Sequence, residues 1–174
     1  MAVQGLSKAK IICFAAVFLV IFLAKNSYAV NINIRLRALN GQVFQTIDKP
    51  FRNRLLFITV FQNDCDYCRM EVSSLNKLYE NPQIHKWFVV LGIDPYNSLQ
   101  TIAQFKQSTG AVYPLFQANP IDVFAQLHTE GTPTSYIILN GKILSTIYGE
   151  HSYLTLKHAL DEAIDEIKIA INQK

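Results

Sequence analysis

Two cysteines three positions apart, Cys65 and Cys68, have the plainest capacity for chemistry in this chain. They sit in Phe61-Gln62-Asn63-Asp64-Cys65-Asp66-Tyr67-Cys68-Arg69, directly after an apolar run. A pair so close encloses almost no loop, so a bond between them stabilises little through chain entropy. Two intervening residues suit a ring that opens and closes in thiol–disulfide exchange. If the pair opens a helix, its amide donors and the positive end of its dipole favour a thiolate on the first cysteine. Cys65 is then the nucleophile, and Cys68 is the thiol that resolves the mixed disulfide. Other uses fit less well. Covalent haem would want histidine directly after the second cysteine, and position 69 is arginine. Structural zinc would want two more ligands, but His85, His128, His151 and His158 are scattered without ligand spacing. No cofactor and no metal site are expected; a metal-handling use of the two thiolates is kept as the alternative.

The second signal is Gly131-Thr132-Pro133-Thr134, directly ahead of a strand-like run. Proline at the start of a central strand must end the pairing or adopt the cis form. Alone, Thr-Pro is an ordinary loop dipeptide. Standing well downstream of Cys68, before a strand and an Asn-Gly turn, it becomes specific.

Both motifs need elements to hold them. Leu55 to Phe61 reads as a strand buried on both faces. Asp64 is placed to cap a helix that carries the cysteines in its first turn and turns Leu75, Leu78 and Tyr79 inward. Asn81-Pro82 ends that helix, and Trp87 to Ile93 is a second buried strand. Ser98 to Thr109 reads as a helix closed by Gly110. A short strand at Leu115-Phe116 and a short helix from Ile121 to Leu127 follow. Ser135 to Leu139, Asn140-Gly141 and Ile143 to Tyr148 form a hairpin, and a last helix starts near Tyr153. Upstream, Ile32, Ile34 and Leu36 alternate as in an edge strand, with Asn40-Gly41 turning into a return at Val43-Phe44. Strands alternating with helices, then a hairpin and a terminal helix, make an α/β layer fold. Tyr113, Phe116 and His128 are candidates to line a groove near Pro133, with core packing or plain surface as the ordinary account of each.

Residues 1–29 read differently. Lys8 and Lys10 precede an unbroken apolar run from Ile11 to Ala24. A bilayer span takes about 20 residues, so this shorter run suits a signal peptide. Ser27-Tyr28-Ala29 supplies the small residues of a cleavage site after Ala29, and an uncleaved membrane anchor is the alternative. Cys13 lies inside the run without a lipobox and leaves with the signal. Residues 30–174 are then one domain in an oxidising, extracytoplasmic compartment such as a periplasm. The chain has 174 residues, 50% hydrophobic and 17% charged, with a net charge of +3. Lys8, Lys10 and Lys25 are its only charges before residue 30, so the body carries 13 basic and 13 acidic residues. A neutral body with no basic run excludes an electrostatic nucleic-acid surface.

Strand, Cys-x-x-Cys helix, strand, helix, Gly-Thr-Pro-Thr, hairpin and final helix resemble the thioredoxin superfamily, and most closely its exported TlpA/ResA-like thiol-disulfide oxidoreductases. The resemblance runs from about residue 36 to the end. It implies a central mixed sheet flanked by helices, with a β/α insert between the Cys-x-x-Cys helix and the cis-proline strand. It implies a redox-active Cys65–Cys68 disulfide with Pro133 cis beside Cys65. It also implies that the Thr132 backbone pairs with an extended substrate segment. Such proteins often carry an acid three positions after the second cysteine. Here that is Glu71, implied as general base for Cys68, with an ordinary surface glutamate as the alternative. The chain departs from the pattern in having Asp64 where tryptophan is usual and Thr59 where plain thioredoxin has a buried acid. Tyr67 together with Gly-Thr-Pro is similar to DsbC-like isomerases, which adds Tyr67 to Thr132 and Pro133 as substrate-binding candidates. Asp64 and Asp66 flank Cys65 and oppose its thiolate, which makes the dithiol a better electron donor; Arg69 and the helix N-terminus push the other way. The expected function is reduction of disulfides in extracytoplasmic proteins, of the cytochrome c or oxidase assembly type, fed by a membrane electron donor. An oxidase or isomerase on the same scaffold is the alternative, and a copper-handling protein a weaker one, since those relatives typically space their cysteines by three residues.

Overall fold

The computed structural model describes residues 31–82 and 88–172, with side chains to residue 169. The expected signal segment, Cys13, His85 and Trp87 lie outside the described residues. In chain order the elements are β1 (Arg35–Ala38), β2 (Val43–Gln45), β3 (Leu55–Val60), α1 (Asp66–Glu80), β4 (Phe88–Asp94) and α2 (Leu99–Thr109). Then follow β5 (Leu115–Ala118), α3 (Pro120–Leu127), β6 (Thr134–Leu139), β7 (Lys142–Tyr148) and α4 (Tyr153–Asn172). The strands form one mixed sheet in the order β2-β1-β5-β4-β3-β6-β7.

β3 is an interior strand, parallel to β4 and antiparallel to β6. All six of its residues are buried, because helices cover both faces of the sheet here. Leu55 and Phe57 enter one core with Val72, Leu75 and Leu78 of α1, Ile102 and Phe105 of α2, and Leu156 and Leu160 of α4. Leu56, Ile58 and Val60 enter the other with Val123 and Leu127 of α3, Tyr136, and Ile32, Ile34 and Leu36. An alternating strand with helices on both sides therefore reads as an unbroken apolar run.

Local signals set the boundaries. Ser98 caps α2 through its hydroxyl, which accepts the Thr101 N–H at 3.2 Å, and Gly110 ends it at φ 70°. Asn119 caps α3 with Pro120 in its first turn, where the missing N–H costs nothing. Among the described residues, the pairs β4–α2 and β5–α3 lie between α1 and β6. Gly92 sits in β4 where a Cβ would come 2.7 Å from Leu115 Cδ2 and 3.1 Å from the Phe61 ring. Only glycine lets these neighbours close over the strand.

One expectation is corrected. β1 is not an edge: β2 pairs with one side of it and β5 with the other, Leu36 facing Ala118. Its alternation reports one buried face. The covering partner comes from far along the chain, so the residues of β1 carry no trace of it.

Candidate active site

β3 leaves the sheet at Val60, and Phe61 is still held by its N–H to the Ile93 carbonyl, 3.0 Å. The chain then turns through Gln62–Cys65 into α1. Cys65 itself is the N-cap: its backbone is extended, and its Sγ accepts the Cys68 N–H at 3.0 Å. This corrects the expectation that Asp64 caps the helix. The sulfur takes the position of a capping oxygen, and Asp64 turns out to solvent. An orphan amide of the first turn is thereby satisfied by the atom whose negative charge it would stabilise. Cys65 and Cys68 form a disulfide with Cα atoms 5.2 Å apart. Cys65 is 8% exposed and Cys68 3%, so attack from outside reaches Cys65 first.

The cis peptide Thr132–Pro133 faces this pair. The Thr132 carbonyl oxygen lies 3.4 Å from Cys65 Sγ, and Pro133 is buried while Thr132 keeps partial exposure. The loop is fixed from two sides: the Thr134 hydroxyl donates to the Gly131 carbonyl at 2.7 Å, and the Gly149 N–H donates to the Pro133 carbonyl at 2.9 Å. Of the residues singled out from the motifs, the fold brings Cys65, Cys68, Thr132 and Pro133 together. Tyr67 projects into solvent at 65% exposure.

Glu71 is fully buried, which removes the reading of it as a surface glutamate. One turn beyond Cys68 on the same helix, it directs Oε1 at the His151 N–H, 3.1 Å away. Its Oε2 has no hydrogen-bond partner among the described residues. Burial pushes its pKa up to about 7 from an ordinary 4.5, against the downward pull of the His151 N–H, and the charge of Glu150 adds to the rise. A carboxyl poised there can hold or release a proton near neutral pH. Tyr113 is buried in the same core, its phenol raised by burial and then by the charge of Glu71. Phe116 packs in the opposite core and His128 is an exposed cap of α3, so neither Tyr113 nor Phe116 lines an open groove.

Arg69 is committed elsewhere than to Cys65. Its guanidinium donates to the Asn63 carbonyl at 2.8 Å and to the Ser108 hydroxyl at 3.2 Å, and lies 5.3 Å from the centre of the Phe105 ring. It ties the cysteine turn to α2. Under the site, Thr59 and Ser135 share a buried hydrogen bond of 2.7 Å between β3 and β6, so the position of the missing acid is filled by a self-satisfied hydroxyl pair. Asp94, at the end of β4, was not singled out from the sequence. It is buried, its pKa is raised by that burial, and it accepts the N–H groups of Tyr96 and Asn97 at 2.8 and 3.0 Å. The Asp94-Pro95-Tyr96-Asn97 turn was the available signal. Among the described residues, no three His, Cys, Asp or Glu side chains converge to hold a metal ion.

A thiol:disulfide interchange protein of the thioredoxin family from Chlorobium tepidum TLS superposes with a TM-score of 0.66 over 80% of this chain and 99% of its own, at 19% identity. The fold is thioredoxin-like. StoA from Bacillus subtilis matches with a TM-score of 0.61 at 15% identity, covering 75% of this chain and 97% of StoA. A thiol-disulfide oxidoreductase from Bacteroides fragilis NCTC 9343 gives 0.64 at 21% identity, covering 75% and 98%. No protein-family model and no curated protein matches the chain. In this thioredoxin-like domain the cysteine helix, the cis-proline loop and the buried Glu71 are built onto one end of the sheet, where β3 and β4 leave it and β6 enters.

Proposed function

We propose that the protein is a thiol-disulfide oxidoreductase that reduces disulfides in other polypeptides through Cys65 and Cys68. The observation that carries the reading is the Cys65–Cys68 disulfide at a helix N-terminus, facing the Thr132 carbonyl. In the dithiol form, the Cys65 thiolate attacks one sulfur of a partner disulfide. A mixed disulfide forms and the partner's other sulfur leaves as a thiolate. Cys68 then gives its proton to the Glu71 carboxylate, attacks Cys65 Sγ, and releases the second partner sulfur. The partner gains two electrons, its two thiolates take up one proton returned by Glu71 and one from solvent, and Cys65–Cys68 becomes the disulfide. Thr132 offers backbone groups to an extended partner segment, as in β-augmentation, and exposed Tyr67 borders the approach.

Reduction is favoured over oxidation by the two exposed acids beside Cys65 and by the diversion of Arg69 to Asn63 and Ser108, both of which leave the thiolate less stabilised. The apolar segment before residue 30 supports export, which implies extracytoplasmic substrates and resupply of electrons from a dithiol donor at the membrane. Reduction of insulin disulfides tests the reading: Cys65→Ala should abolish turnover, and Cys68→Ala should accumulate mixed disulfides that resist resolution. Undiminished turnover in Cys65→Ala would overturn it.

A further inference from the structure

Between β7 and α4 the backbone touches both halves of the site. The Gly149 N–H donates to the Pro133 carbonyl at 2.9 Å. Two residues on, the His151 N–H donates to Glu71 Oε1 at 3.1 Å. A His151 ring nitrogen lies 3.0 Å from the Tyr148 carbonyl, closing the segment on itself. The ends are pinned: Tyr148 pairs with Thr134 across the hairpin, and the Ser152 carbonyl accepts the Leu156 N–H at 3.1 Å as α4 begins. Gly149 stands at φ +82°, where an added Cβ would meet nothing. Its role is therefore conformational: it aims an N–H at Pro133 from a backbone geometry that other residues adopt at a cost.

We infer that the Tyr148–Ser152 segment links Glu71 to the substrate-facing loop, so that the protonation state of Glu71 sets how firmly Thr132 and Pro133 are held for an incoming polypeptide. An N–H bonded to an ionised carboxylate makes a shorter bond, roughly twice as strong as one to a neutral carboxyl. Ionised Glu71 draws in the His151 amide. One residue separates that amide from Gly149, and both ends of the segment are fixed, so the pull reaches the bond to Pro133. Protonated Glu71 relaxes it. Among the described residues, the charged and titratable groups set against Glu71 are Glu150 of this segment, whose charge opposes ionisation, and Tyr113 from the turn before β5. His151 meets it through the backbone N–H, its ring lying on the Tyr148 carbonyl, and Cys68 precedes it by one turn on the same helix. Gly149 and His151 are positioning residues, since they contact the loop and the carboxyl rather than the sulfurs.

The consequence for turnover rests on the exchange reading of Cys65 and Cys68, whereas the link itself can be observed without it. The first test follows the amide protons of Gly149 and His151 and the Glu71 carboxyl carbon by NMR of the full-length disulfide form between pH 5 and 9. All three should titrate with one midpoint, and Glu71→Gln should flatten both amide curves. A Gly149 amide that stays still while Glu71 titrates overturns the link. The second test is Gly149→Ala in insulin reduction. It should raise KM about fivefold, the equivalent of one neutral hydrogen bond, with kcat nearly unchanged. An unchanged KM, or a fall confined to kcat, contradicts the inference. If wild-type protein reduces no disulfide, the functional reading fails and the amide titrations still decide the link.

Discussion

Glu71→Gln isolates the cost of keeping an ionisable group in the core beside the cysteine helix. In the folded disulfide form the Glu71 pKa is about 7, against 4.5 ordinarily, chiefly because of burial. Between those values the folded chain binds more protons at this site than the unfolded chain, so stability falls as pH rises through that window. At about 1.4 kcal/mol per pKa unit, the group removes about 3 kcal/mol by pH 8. Glutamine keeps an oxygen for the His151 N–H and has no charge to bury. The variant and the wild type should therefore have similar stability at pH 4.5, and the variant should lead by about 3 kcal/mol at pH 8. For a domain of this size that is on the order of 10 °C in Tm. Urea unfolding with the disulfide intact, at half-unit pH steps, reads the difference directly. Parallel stability curves for the two proteins would mean instead that Glu71 titrates alike in the folded and unfolded chain, and that its burial carries no such cost.

Other predictions concern the frame around the site. Gly92→Ala places a methyl 2.7 Å from Leu115 Cδ2 and should cost about 1–3 kcal/mol by overpacking, measured as a lower urea midpoint at unchanged slope. Thr59→Val strands the Ser135 hydroxyl, which has Thr59 as its hydrogen-bond partner, and should cost about 1–3 kcal/mol. The double variant with Ser135→Ala should recover most of that loss, and a double-mutant cycle with zero coupling would contradict the pairing. Asp94→Ala leaves the Tyr96 and Asn97 amides without their acceptor and should destabilise the turn beside the site by a similar amount, seen as faster hydrogen exchange at those two amides.

Much of this architecture was legible because short-range chemistry dictated it. The buried run at Leu55–Val60, the Ser98 and Gly110 caps of α2, and the Asn140-Gly141 turn each carry their own physical signal, and each element lies where that signal puts it. The cysteine pair and Gly131-Thr132-Pro133 were legible as motifs; that they face each other is a property of β3 pairing with β6. What escaped was set by distant partners. β1 read as an edge because β5, which lies far along the chain beyond α2, contributes nothing to its pattern. Cys65 displaced Asp64 as the cap because the disulfide holds its sulfur over the first-turn amides. The burial of Glu71 did leave a trace: Cys68, Glu71, Val72, Ser74, Leu75 and Leu78 make the buried face of the helix, and Glu71 is the one acid on it. Its bond to His151 had none, since a backbone donor so distant in sequence is invisible in side-chain types.

The central claim, that Cys65 and Cys68 form a reducing couple, is tested most directly by equilibrating the full-length protein with defined thiol buffers and measuring the reduction potential of that pair. A reducing couple should give a value near that of thioredoxin, about −270 mV. A value near that of DsbA, about −120 mV, would contradict it and make the protein an oxidant.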